Sequence, residues 1–174
     1  GKTKKQLKSY KPCCIIGLTF YGHQRKYTNM IVSTKGRYAL RMLLDLAEHQ
    51  NCGYIALKDI AERQGISKKY LEQIIPMYNR SGILKTERGS QGGYQLAKAP
   101  ETLTVGEILR FTEGDLSPVA CAGEETPVCT RSADCAVLPV WQGLYKVINE
   151  YLDGITLQDI MDQHRANPAD DYMI

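Results

Sequence analysis

The run Ala61-Glu62-Arg63-Gln64-Gly65-Ile66-Ser67 constrains the fold more than any other part of the chain. A small residue inside a helix lets a second helix come close. A glycine four positions later accepts the positive φ of a helix end, and a serine two beyond that caps the next helix. This order predicts two helices meeting at a tight corner. Taken alone, the corner suits a helix-turn-helix and a plain helix–loop–helix of an all-α protein equally well.

The flanking patterns separate the two. A helix is predicted from Thr34, with Ala39, Leu40, Leu43, Leu44, Leu46 and Ala47 as a buried stripe and Tyr38, Met42, Asp45 and His49 on another side. Asn51, Cys52 and Gly53 supply its terminating turn. A short helix follows over Leu57–Gln64, with Leu57, Ile60 and Ala61 apolar. Beyond the corner, Lys68–Arg80 turns Leu71, Ile74, Ile75 and Tyr78 inward. Ser67, Lys68, Lys69, Tyr70, Glu72 and Gln73 gather at its N-terminal end, the part a recognition helix presents to base edges and phosphates. Pro76 inside this helix predicts a kink or an early stop.

After Gly82, two strand-like pieces, Ile83–Thr86 and Tyr94–Ala97, are joined by the glycine-rich stretch Glu87–Gly93. A phosphate-cradling nucleotide loop would end in Gly-Lys-Ser/Thr and open a helix, and this stretch does neither. It reads as a wing, with Arg88, Gly89, Ser90 and Gln91 at the tip and Arg88 laid along a minor groove. The expected fold is mainly α with a small β-wing, a winged helix-turn-helix domain plus a long dimerisation helix.

Charge is divided to match. The net +3 of the 174 residues resolves into +7 over residues 1–29, +5 over 30–98 and −9 over 99–174. A basic half facing a polyanion, double-stranded DNA here, and an acidic half with another task are implied. No apolar run exceeds four residues, so no segment approaches a membrane span. Six Cys are too sparse for a disulfide scaffold. Three scattered His assemble no Ser-His-Asp or Cys-His set, so catalysis is not expected.

Residues 1–29 show no period, and Met30 reads as the native start, with an upstream extension before it. A basic arm touching DNA is the alternative for that stretch. The remaining divisions are 30–98 for DNA binding, 99–136 for a linking helix (Thr104–Glu113) and cysteine loop, 137–165 for dimerisation and C-terminal helices, and 166–174 for an acidic tail.

Cys121, Cys129 and Cys135 sit among Glu124, Glu125, Thr130, Arg131 and Asp134, a polar setting foreign to core cysteines. No Cys-x2-Cys knuckle is present for a zinc ribbon. By their own chemistry the three thiols suit a metal cluster or a labile thiol sensor.

The segments Ser33–Leu40, Ile60–Ser67, Tyr70–Gln73 and Arg88–Tyr94, in this order, resemble IscR-like iron–sulfur regulators of the Rrf2 family of bacterial transcription factors. The resemblance runs from Met30 to about Ile160. It implies a homodimeric, cytoplasmic winged-helix protein that contacts DNA through Thr34, Lys35, Arg37, the recognition helix and the wing. It also implies a [2Fe–2S] cluster on Cys121, Cys129 and Cys135. The fourth ligand departs from the pattern. Leu138 stands where such regulators carry His, and Arg37 stands where nitric-oxide-sensing relatives carry Asp. Asp134, Glu124, Glu125, a thiolate, water or a partner-chain group remain open for that place.

Val137, Trp141, Leu144, Ile148 and Tyr151 advance by four and three residues, forming an a/d seam on a helix of about four turns. Such a seam suits packing on its own domain as well as a dimer, and the resemblance implies the dimer. A last short helix over Thr156–His164, capped by Thr156, covers Leu157 and Ile160. The tail Asp170–Ile174 resembles that of a cysteine-metabolism regulator in the same family, one without the three Cys. It implies a second function, repression of sulfur assimilation controlled by a partner enzyme.

Overall fold

The structure is a computed structural model that describes residues 32–89, 92–123 and 129–166. Helix α1 spans Thr34–Glu48 and opens where the Ser33 hydroxyl accepts the Gly36 N–H at 3.1 Å. It is the central helix, in contact with α2 (Leu57–Gln64), α3 (Lys68–Arg80), α4 (Val105–Glu113) and α6 (Leu157–Ala166). Neighbours on several sides explain why Met42 and Asp45 are buried along with Ala39, Leu43, Leu46 and Ala47. The apolar stripe is therefore wider than the sequence pattern suggested.

Helix α2 ends at Gly65, which takes the left-handed conformation (φ 61°). The Gly65 N–H reaches the Glu62 carbonyl and the Ile66 N–H reaches that of Ala61, satisfying the last turn. The Ser67 hydroxyl then accepts the Tyr70 N–H at 3.3 Å and starts α3. Helix α3 does not stop at Pro76 but runs on to Arg80. Leu71, Ile74, Ile75 and Tyr78, before and after the proline, are all buried, and that packing outweighs the missing backbone bond.

Strands β1 (Leu84–Glu87) and β2 (Gly93–Leu96) pair antiparallel, Leu84 opposite Leu96 and Glu87 opposite Gly93. Ile55 adds a rung beside Tyr94, with 2.9 Å bonds in both directions. Gly93 is required there, because a Cβ would strike the Ile55 carbonyl. The small sheet thus sits on the helical core rather than projecting from it.

Thr104 caps α4 by accepting the Glu107 N–H, so the helix proper begins one residue later than expected. Among the described residues that follow, a 3-10 turn (Ser132–Asp134) precedes α5 (Leu138–Asp153), none of whose residues is buried. Helix α6 begins with a reciprocal cap: the Thr156 hydroxyl accepts the Asp159 N–H, and the Asp159 carboxylate accepts the Thr156 N–H. It continues to Ala166, two residues past the expected end, and returns Leu157 and Met161 to the core shared by α1–α4. A smaller cluster of Val105, Leu109 and Leu116 takes Ile148 and Leu152 from α5.

Candidate nucleic-acid interface

Helix α3 presents Lys68, Lys69, Glu72 and Gln73 to solvent, with Ser67 exposed at its cap. Tyr70 is half-buried, packed on the core and meeting Tyr38 edge-on at 5.4 Å between ring centroids. Glu72 lies 3.7 Å from the Lys68 ammonium, both side chains more than half exposed. A pair this wet contributes little and yields readily to a competing partner.

Thr34, Lys35 and Arg37 lie on the first turn of α1, where Arg37 donates to the Thr34 hydroxyl at 3.1 Å. No acidic residue of α1 itself sits in that turn, which leaves Lys35 and Arg37 as its charged side chains. At the wing, Arg88 and Gly89 are exposed, and Gly89 (φ 122°) makes the bend. Ser90 and Gln91 lie outside the described residues, as do the N-terminal stretch with Cys13 and Cys14 and the acidic tail.

Polar residues that the sequence pattern did not single out hold this surface to the body. The Asp45 carboxylate, 1% exposed, receives the Arg63 guanidinium through two hydrogen bonds, 2.6 and 3.0 Å. The Arg63 side chain is held more firmly protonated by that bond, burial opposing it. Deeper in, the Tyr78 hydroxyl donates to the Ile108 carbonyl at 2.9 Å, joining α3 to α4, and burial pushes its pKa up. Glu113, the last residue of α4, accepts the Ser33 hydroxyl at 2.7 Å, joining α4 to the start of α1. Gly36 makes this joint possible, since a Cβ would collide with the Glu113 carboxylate.

The cysteine segment follows α4. Cys121 and Cys135 are half-buried, Cys129 is exposed, and all three are free thiols. Their number and softness suit an iron–sulfur cluster. Among the described residues no three Cys, His, Asp or Glu side chains are grouped closely enough to hold a metal ion. Asp134 lies in the same segment, exposed, while Glu124 and Glu125 fall outside the described residues.

Of the expected seam, Val137, Leu144 and Tyr151 are exposed, whereas Trp141 and Ile148 are half-buried. Ile148 packs on its own α4 cluster, and Val140 and Val147 complete the solvent-facing apolar row instead. Among the described residues, no helix is long and apolar enough to cross a membrane.

Residues 32–163 match the family described as Rrf2, iron-dependent transcriptional regulator. The chain belongs to the Rrf2 family. Among curated relatives, the protein rrf2 of Nitratidesulfovibrio vulgaris is 41% identical over 132 residues, covering 76% of this chain and 87% of that one. The solved structure of T. potens IscR is 41% identical, covers 82% of this chain and 95% of its own, and superposes with a TM-score of 0.62. CymR of B. subtilis, described as its global cysteine regulator, is 34% identical over 76% of this chain and 97% of its own, with a TM-score of 0.65. This Rrf2 chain is a DNA-binding transcription regulator with a winged-helix fold, and relatives such as IscR and CymR are named as transcriptional regulators, not enzymes.

Proposed function

We propose that this Rrf2 protein is a homodimeric repressor-type regulator of the bacterial cytoplasm that senses iron–sulfur, redox or nitric oxide status through Cys121, Cys129 and Cys135. It reads a dyad operator with Thr34, Lys35, Arg37, the exposed end of α3 and the wing residues Arg88 to Gln91. One observation carries the sensing half of this reading. Among the described residues three of the four free thiols, all but Cys52, lie in the segment between α4 and α5, and α4 is bonded both to α3, through Tyr78, and to α1, through Glu113. A change in that segment therefore acts on the helix that links both DNA-contacting elements. The similarity to IscR and the family's iron-dependent description support a [2Fe–2S] cluster as the sensed group. Residues 30–98 serve as the DNA-binding unit, 99–136 as the sensor and 137–165 as the dimerisation unit.

Protein prepared without oxygen should absorb in the visible and contain iron and sulfide in equal amounts. Cys121→Ser, Cys129→Ser or Cys135→Ser should each bleach it and shift operator affinity. A colourless preparation, or one holding only zinc, refutes the cluster reading. The similarity to CymR favours a second reading, a cysteine-metabolism repressor controlled by a sulfur-metabolism enzyme. In that case operator affinity would respond to the enzyme and be indifferent to the three Cys→Ser variants.

A further inference from the structure

Arg41, Asp45, Arg63 and Gln64 form one polar joint between α1 and the last turn of α2. Besides its two bonds from Arg63, the Asp45 carboxylate accepts the Gln64 side-chain N–H at 3.0 Å. The Gln64 side-chain oxygen accepts from Arg41 Nε at 3.1 Å, and its backbone carbonyl accepts from Arg41 Nη2. Arg41 also lies 5.9 Å from the Tyr38 ring centroid, and Tyr38 abuts Tyr70 in the first turn of α3. The contacts run from a buried carboxylate on α1, through the last turn of α2 and back to Arg41 and Tyr38 of α1, to the foot of the recognition helix.

Stability alone is a poor reason for this joint. Leu43, Leu46, Ile60, Leu71 and Ile74 are already fully buried at the meeting of the three helices. Asp45 is buried and Arg63 is partly open to solvent. A pair so placed regains in attraction roughly what the desolvation of its carboxylate costs, so apolar residues of similar volume often hold as well. What apolar residues do not provide is direction. A carboxylate gripped by a planar guanidinium fork fixes distance and angle together, whereas aliphatic chains slide. The fork grips α2 at Arg63, and the corner that launches α3 begins two residues later, at Gly65. We infer that the Arg41–Asp45–Arg63–Gln64 joint is a positioning device that sets the angle at which α3 presents Lys68, Lys69, Glu72 and Gln73 to DNA. This rests on the DNA-binding role of the fold and is independent of the cysteine segment.

The test compares the wild-type chain, the double variant Asp45→Leu with Arg63→Met, and Gln64→Met. Each is measured for melting temperature and for affinity toward two duplexes across a salt series. One duplex is an operator selected by the wild-type chain from random sequences, which separately tests the DNA-binding reading, and the other is its scrambled version. The double variant removes both charges, so it should melt near the wild-type temperature. Its operator affinity should fall by about 10-fold, the size of one misplaced base contact, while scrambled DNA and the salt slope stay unchanged. Gln64→Met, which leaves the ion pair intact, should lower the operator-to-scrambled ratio by about 3-fold, and it decides the matter if the double variant does not fold. An unchanged ratio overturns the inference. So does an equal loss on both duplexes with a shallower salt slope, because that marks direct phosphate contacts.

Discussion

Replacing Pro76 by Ala should make this protein more stable. Pro76 is the ninth residue of α3, counting from Lys68, so the N–H it lacks would have bonded to the Glu72 carbonyl. Inside a helix, proline costs about 3 kcal/mol relative to alanine. Against this, proline restricts the unfolded chain, and its removal returns about 1 kcal/mol of entropy to the unfolded state. Pro76 is exposed, so losing its ring uncovers little apolar surface. The balance is a gain of about 2 kcal/mol, from the difference of these two effects. For a folded region of this size that corresponds to a rise in melting temperature of about 8 °C. Urea unfolding followed by circular dichroism, at fixed protomer concentration, should show a later midpoint with an unchanged slope. A lower midpoint would refute the reasoning. It would mean that α3 satisfies the Glu72 carbonyl in another way and that its packing depends on the proline.

Four further outcomes are expected. Val137, Val140, Leu144, Val147 and Tyr151 stand 42% to 67% exposed along α5, so Leu144→Asp should raise the dimer dissociation constant by at least about 100-fold, read by light scattering. Glu72→Ala should change preference at one base pair per half-site by about 1–3 kcal/mol across a panel of operators, and an equal shift on all of them would confine Glu72 to its pair with Lys68. Arg88→Ala should instead weaken every duplex and lower the salt slope by about 1. The hydrogen bonds from Arg110 hold the Asp153 carboxyl below the usual carboxylate range, burial opposing. A lowered folded value contributes stability that is fully present above the usual range and is lost as pH falls from there through the lowered value. Wild type and Asp153→Asn should therefore differ in urea midpoint near neutrality and converge in strong acid.

The helices were legible because each carries an apolar period and several open on a Ser or Thr cap. Leu57–Gln64 and Lys68–Arg80 match their predicted bounds, and Ser67, Thr104 and Thr156 are caps. The Asp45 joint was hidden because its partners lie 18 and 19 residues away, beyond any local pattern. A carboxylate on a face shared with Tyr38 and Met42 was the available hint. Along α5 the a/d reading found the right helix but mixed two faces. Ile148 turns to α4, and Val140 and Val147 face outward, a distinction that depends on where α4 sits. The spacing of the cysteines says nothing of their separation in space, since no helical or strand period runs through the sequence between them.

The return of α6 gives α5 an unusual mechanical character. Only Gly154, Ile155 and Thr156 separate the two helices. Around them, Val105 N–H bonds to the Ile155 carbonyl at 2.8 Å and Leu157 N–H to that of Leu103 at 2.9 Å. Leu157 and Met161 then lock into the body that carries α3. At this end α5 is a handle riveted to the casting, not a rope tied to it. In a dimer gripped through such handles, the two recognition helices would keep a set span of about 34–36 Å, one turn of the duplex, and the operator would have to match the ruler.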